Sequence, residues 1–246
     1  MYKDIKREYN INIKEMLPEN PKEIMVAIHG FAGDKESSAI SMVAEELMKQ
    51  DIGVIALDLP GHGASEVDGD YLTLDNCLAD IRFTLDYAKE NFKDAKISLF
   101  ATSFGAYLTL LLLTRYGNEY NKVVLRCPAI RMDKIFEDEI LVGTMDEFKE
   151  KGYVIVGYER ELKVNYSYFE ELCDNQILRD FDAKCDNILI IHGDEDTTAP
   201  IKDAYDFKEK FGVKMNVVEG ADHRFKKPGE LEKVVNHTLN FINYIS

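Results

Sequence analysis

No run of apolar residues in this chain is long enough to cross a bilayer. The longest, around Leu108 to Leu113, falls far short of the ~20 residues that a spanning helix needs. Cysteines are few. Cys77, Cys127, Cys173 and Cys185 stand far apart, with no C-x-x-C pair and no histidine at ligand spacing. The expectation is therefore reduced, mostly buried thiols rather than a disulfide framework or a zinc site. Positive charge is also scarce: 30 Lys and Arg face 45 Asp and Glu, a net charge of −15. Such a balance repels phosphate backbones and anionic lipid heads, so neither a nucleic-acid nor a membrane partner is expected. Met1 to Lys6 lack the apolar stretch of a secretory signal, which makes the cytoplasm the expected location. Internal repeats and low-complexity segments are lacking too.

What is present is an ordinary globular composition, 46% hydrophobic and 30% charged over 246 residues. A chain of this size can bury most of its unfolded surface without a disulfide or metal staple. Short apolar runs alternate with longer helical patterns. Ile24–Ile28, Val54–Leu57, Ile97–Phe100, Val123–Leu125 and Ile188–Ile191 are nearly continuous apolar stretches, as expected of parallel strands buried on both faces. Helical spacing runs over Ser38–Lys49, Leu74–Asn91, Phe104–Tyr116, Ile201–Phe211 and Gly229–Tyr244. Strand and helix in alternation predict right-handed crossovers and a mostly parallel, doubly wound α/β sheet. Lys3–Lys14 alternates weakly and reads as an antiparallel edge hairpin.

The rhythm breaks from Ile130 to Asp186. There, 146–150 looks helical, while Tyr153–Tyr158 and Glu161–Tyr166 resemble two short strands turned near Glu159 and Arg160. The segment is too long for an ordinary connection. It reads as a cap inserted at about 130–186 into one domain spanning 1–246.

Chemistry concentrates where strands end. Ala101-Thr102-Ser103-Phe104-Gly105 follows one strand and opens a helix, and Ser103 is the only serine with glycine two positions on. A serine on so tight a turn is held proud of the sheet, and small neighbours let the helix approach the strand. Taken alone, the same serine could equally be a helix N-cap. His29-Gly30-Phe31-Ala32-Gly33 follows the first core strand. Glycines there let the chain fold back, so that the amides of Phe31 and Phe104 could form an oxyanion hole. Asp58 to Ser65 is a turn-rich loop after the next strand. His192-Gly193-Asp194-Glu195-Asp196 and Gly220-Ala221-Asp222-His223 follow the last two strands. Ser103, Asp196 and His223 thus each lie just beyond the carboxyl end of a strand, where open α/β sheets place their sites.

These residues resemble the α/β-hydrolase superfamily, and are most similar to its serine aminopeptidase-like and monoacylglycerol-lipase-like branch, which includes small bacterial cinnamoyl (feruloyl) esterases. The resemblance runs from about Ile24 to the C-terminus through H-G-F, D-L-P-G-H-G-x-S, the serine turn, H-G-x-x-D and G-A-D-H. Ala101 departs from the usual G-x-S-x-G. Carried over by position, the resemblance implies an α/β-hydrolase fold, with Ser103 as nucleophile, His223 as base and then acid, and Asp196 as its orienting carboxylate. Phe31 and Phe104 would supply the oxyanion amides. It implies no metal and no other cofactor.

Other roles compete. Asp194 is a rival to Asp196. Asp222 is expected to point away and stabilise its loop. His29, His62 and His192 are expected to brace loops, and His237 to lie on the surface or between helices. Leu110–Leu113 reads as core. The expected activity is cleavage of carboxylic esters with short, medium or hydroxycinnamoyl acyl groups, by a small-molecule-binding enzyme for which a homodimer is compatible. Tyr153, Tyr158, Tyr166, Tyr168 and Phe169 either line an acyl pocket or fill the cap's own core. A serine aminopeptidase would need a carboxylate in the cap, for which Glu137, Asp138, Glu139, Glu170 and Glu171 are available. A thioesterase and a non-enzymatic binding module are the remaining alternatives.

Overall fold

The apolar runs become the central strands of one eight-stranded sheet. The computed structural model describes residues 1–157 and 160–243. Its core strands are β3 (Glu23–Ile28), β4 (Ile52–Leu57), β5 (Lys96–Thr102), β6 (Val123–Arg126), β9 (Ile188–Gly193) and β10 (Lys214–Val218), all parallel to their core neighbours. β1 (Tyr2–Lys6) and β2 (Asn10–Met16) form the expected antiparallel hairpin, and β2 continues antiparallel onto β4. The sheet order is β1-β2-β4-β3-β5-β6-β9-β10. Every residue of β3, β4 and β9 is buried, because helices cover both faces.

Alternate residues of each strand feed alternate faces. Ile24, Val26 and Ile28 join one core with α2 (Leu74–Asn91), α3 (Phe104–Tyr116) and α8 (Ile201–Phe211), whereas Met25 and Ala27 join the other with α1 (Ser38–Met48) and α9 (Glu230–Asn243). α3 is buried all round from Phe104 to Leu113, so Leu110–Leu113 is core, as an apolar helix without a polar face must be. Ser37 and Thr73 accept hydrogen bonds from Ile40 N and Asn76 N and start α1 and α2.

Between β6 and β9 lie α4 (Met132–Ile135), which runs on into a π-turn over Phe136–Ile140, α5 (Met145–Lys151), the antiparallel β7 (Tyr153–Val156) and β8 (Leu162–Asn165), α6 (Tyr166–Asp174) and α7 (Ile177–Asp180). The second expected strand is shorter than its sequence suggests, since Tyr166 opens a helix. That helix buries Tyr168, Phe169 and Leu172 on one face; aromatic density reads as strand locally, and packing overrides it. Tyr158, Glu159 and Tyr244 lie outside the described residues. The cysteines are all free, but only Cys77 and Cys127 are buried, while Cys173 is exposed. Among the described residues no helix is long and apolar enough to cross a membrane.

Candidate active site

Ser103 is the single residue between β5 and α3, at φ 52° and ψ −114°. Such a backbone is strained for a residue with a side chain and persists only when its surroundings fix it. They do. A Cβ on Gly105 would stand 2.6 Å from the Ile28 carbonyl oxygen, so only glycine lets α3 start this close to β3. Ala101, at the unusual first position of the turn, is wholly buried in the core, where its methyl is accommodated. The Ser103 hydroxyl makes no cap bond to α3. It lies 3.0 Å from His223 Nε2.

His223 sits in the loop between β10 and α9, with Nδ1 2.8 Å from Asp196 Oδ2. Its backbone carbonyl accepts from Arg126 Nη1 at 2.8 Å. Asp196 is buried, and its Oδ1 accepts from the amides of Thr198 at 3.0 Å and Ala199 at 2.8 Å. Burial works against the charged carboxylate, but hydrogen bonds from His192, His223 and the Ala199 amide outweigh it and hold the group well below the usual carboxylate range. Asp194 turns instead to the Gly220 amide at 2.6 Å, tying two loops together. Asp222 accepts from Arg224 N at 2.9 Å and shapes its own loop.

The Phe104 amide follows the serine directly and the Phe31 amide belongs to the loop that packs on it through Gly30; neither donates to a backbone carbonyl among the described residues. Gly30 packs the Phe31 loop onto the serine turn, where an added Cβ would stand 3.3 Å from Ser103 Cβ. The left-handed residue of that loop is Ala32, at φ 54°, and not one of the glycines expected to make the bend. His29 braces the loop: its Nδ1 donates to Gly30 O at 2.7 Å and its Nε2 accepts from Leu59 N at 3.1 Å. His62 donates through Nδ1 to Pro60 O at 2.8 Å, and burial followed by the nearby His29 ring pushes its pKa down to about 3. Asp58 clasps the Lys35 ammonium at 2.5 Å and the Ala64 amide at 2.9 Å, which closes the turn-rich loop onto the Phe31 loop. His237 lies on α9 and meets β10, its Nδ1 3.1 Å from Asn216 Nδ2.

A cleft of about 950 Å³ opens between the Phe31 loop and the inserted segment and reaches Arg224, the residue after His223; Ser103 and His223 are not among its walls. Phe31, Ile140, Ile155, Val156, Glu139, Arg160 and Arg224 are among its walls. None of Tyr153, Tyr166, Tyr168 and Phe169 lines it. Tyr168 and Phe169 are buried against Phe136, and Tyr166 packs on Phe148. For Tyr166, Tyr168 and Phe169 the acyl-pocket alternative gives way to the core-filling one, because these rings meet each other and their neighbours rather than the cleft, whereas Tyr153 is exposed and does neither. Among the described cap carboxylates, Glu139 alone lines the cleft; Glu137 pairs with Lys134 and Glu171 caps Leu74 N.

Two contacts were not foreseen in the sequence. Besides bracing Ala199 O at 2.8 Å, His192 Nε2 lies 3.1 Å from Asp196 Oδ2. Arg126, an arginine at the end of a buried strand, holds the His223 backbone; an ionic group at that position was the one available signal. Cys127, His192 and Asp196 bring their ligand atoms within 4.8 Å of one another. Burial raises the Cys127 thiol far above its ordinary range. With both carboxylate oxygens already accepting hydrogen bonds, this donor set supports Asp196 and does not suit a metal.

Comparison with known proteins places the chain. The family model described as serine aminopeptidase, S33, matches residues 19–166, more than half of the sequence. The chain belongs to this α/β-hydrolase family. Solved structures share the fold over its whole length. Est1E from Butyrivibrio proteoclasticus with bound ferulic acid is 23% identical, with a TM-score of 0.83 over 98% of this chain and 97% of that one. A putative hydrolase from Agrobacterium vitis is 20% identical, with a TM-score of 0.80 over 99% and 98%. Mouse alpha/beta hydrolase domain-containing protein 10 is 16% identical, with a TM-score of 0.79 over 100% of each chain. No curated protein sequence matches the chain.

Proposed function

We propose that this family member is a serine hydrolase that cleaves carboxylic esters with short, medium or hydroxycinnamoyl acyl groups. The observation that carries the reading is the unbroken hydrogen-bond chain Ser103 Oγ, His223, Asp196, with links of 3.0 and 2.8 Å. His223 Nε2 takes the hydroxyl proton as Ser103 Oγ attacks the acyl carbon, and the Phe31 and Phe104 amides hold the oxyanion. His223 then returns the proton to the leaving alcohol oxygen, leaving an acyl-serine. Water, deprotonated by the same ring, attacks that ester and releases the acid. Asp196, kept ionised by its donors, fixes the Nδ1–H tautomer and stabilises the imidazolium. No step calls on a metal or an organic cofactor. Residues 130–186 act in this reading as the cap that walls the cleft.

Hydroxycinnamoyl esters head the substrates because Est1E, of the same fold, holds ferulic acid. One observation favours a second reading, an aminopeptidase: Glu139 faces the cleft and could bind a substrate amine. The deciding experiment is hydrolysis of p-nitrophenyl esters from acetate to laurate, methyl ferulate, an acyl thioester and an aminoacyl p-nitroanilide. Wild type and Ser103→Ala are compared. Ester turnover that falls by about 10⁴-fold or more in a folded Ser103→Ala supports the reading. Anilide cleavage without ester cleavage moves it to the peptidase, thioester cleavage alone to the thioesterase. A folded wild type that turns over none of them favours a binding module.

A further inference from the structure

His192 is a buried imidazole that the mechanism above leaves unused. It is the last residue but one of β9 and is fully enclosed. Its Nε2 faces two acceptors, the Ala199 carbonyl at 2.8 Å and Asp196 Oδ2 at 3.1 Å. Carbonyl and carboxylate oxygens cannot donate, so Nε2 carries the hydrogen. Nδ1 has no partner among the described residues, which fits a neutral ring in the Nε2–H tautomer. Two imidazoles thus approach Asp196 Oδ2: His223 donates to it through Nδ1 at 2.8 Å, and His192 Nε2, whose hydrogen goes to Ala199 O, lies 3.1 Å away.

We infer that His192 is a positioning residue for the proposed reaction: by sharing Asp196 Oδ2 with His223 it fixes the plane of the carboxylate and moderates how strongly that carboxylate grips the reacting ring. This rests on the reading of Ser103, His223 and Asp196 as a hydrolytic triad. The groups that face Asp196 are few. The Thr198 and Ala199 amides hold Oδ1, His223 and His192 share Oδ2, and the Cys127 thiol closes the cluster from the end of β6. The Arg126 guanidinium stands behind, near Asp196 and Asp222. His192 is the one enclosed ring among them. The downward displacement of the Asp196 pKa, in which the His192 bond takes part, agrees with this geometry.

The sign of the effect follows from the shared oxygen. Without the His192 donor, the charge on Oδ2 falls to His223 alone, and that ring keeps its proton to higher pH. The test compares wild type with His192→Phe, which removes the donor, and His192→Gln, which can offer an N–H in its place. Ester kcat and KM are measured across pH, and the His223 ring is titrated by NMR. In His192→Phe, kcat is expected to fall about 10-fold to 100-fold with KM little changed. The acid limb of kcat/KM and the His223 titration both move up by about half a pH unit, and His192→Gln restores both. His192→Asn, with a shorter amide, serves if the phenylalanine variant does not fold. A folded variant whose His223 titrates as in wild type overturns the inference, as does a loss of kcat that moves no titration and is not rescued by glutamine. The NMR titration also decides the question in a protein that hydrolyses no ester, so failure of the hydrolase reading would not be mistaken for failure of this one.

Discussion

At the carboxyl edge of the sheet, Gly105 and Gly193 stand where two pieces of backbone meet; in the inserted segment, Gly143 and Gly152 stand where backbone turns in open space. At Gly105 an added Cβ would collide with the carbonyl oxygens of Ile28 and His29, whereas at Gly152, with φ 75°, it would meet nothing within 4 Å. The edge is thus defined by backbone contact, which fixes Ser103 against the Phe31 loop. The insertion is defined by side chains, through the ring cluster of Phe136, Phe148, Tyr168 and Phe169. Chemistry that needs atoms held to a few tenths of an ångström sits on the first kind of structure. A wall whose shape can differ between relatives is built from the second.

The sharpest way to break this contrast is Gly105→Val. Its side chain must displace β3 or α3, and overpacking against backbone cannot be relieved by a rotamer change. The expected cost is about 4 kcal/mol or more in urea unfolding, together with loss of the Ser103 geometry and of any hydrolysis. A loss under about 1 kcal/mol would mean that the helix and strand are not held by this contact.

Phe136→Ala attacks the other kind of structure. The ring touches Phe31 at 5.6 Å between centroids and Tyr168 at 6.1 Å, joining the insertion to the loop beside Ser103. Deleting it is expected to cost roughly 3–5 kcal/mol. One core runs through α3 and the insertion, so unfolding should stay a single transition with a lower midpoint. Two separate transitions would show that the insertion melts on its own.

The sheet was legible because its signals are local and redundant: unbroken apolar runs, with turn residues at each end. Ser103, Asp196 and His223 were legible because each follows such a run. The insertion was read less well. Tyr166 to Asp174 carries three aromatic residues at its start, and only packing against Phe136 and Phe148 makes it helical. The second role of His192 was hidden for another reason. Its approach to Asp196, at 3.1 Å, depends on how the loop after β9 folds back over four residues, which spacing alone does not dictate. The bend at Ala32 was misassigned to its neighbouring glycines because composition cannot say which residue of a tight turn takes the positive φ.

Asp196 links the rigid edge to pH. Its folded-state pKa is lowered, against burial, by bonds from His192, His223 and the Ala199 amide. A depressed carboxylate contributes stability that is complete above its unfolded value, about 4, and is lost as pH falls through the lower folded value. Asp196→Asn should therefore be less stable than wild type by the same margin at pH 7 and pH 5, and the gap should narrow by pH 3. This effect is expected to be smaller than that of Phe136→Ala. Urea midpoints at the three pH values measure it, and a gap that widens on acidification would reverse the sign.

The smallest effect belongs to Gly152. It ends α5 in the left-handed conformation, and its amide donates to Phe148 O at 2.9 Å. An alanine there finds room for its methyl but must adopt a backbone that costs about 1 kcal/mol relative to glycine. Gly152→Ala should lower stability by that amount and leave any hydrolysis untouched, since α5 carries no wall of the cleft. Compared with Gly105→Val, the same class of substitution then separates steric contact from conformational preference. If Gly152→Ala cost as much as Gly105→Val, open space would not distinguish the two glycines, and the insertion would have to be regarded as held by backbone packing as tightly as the sheet edge.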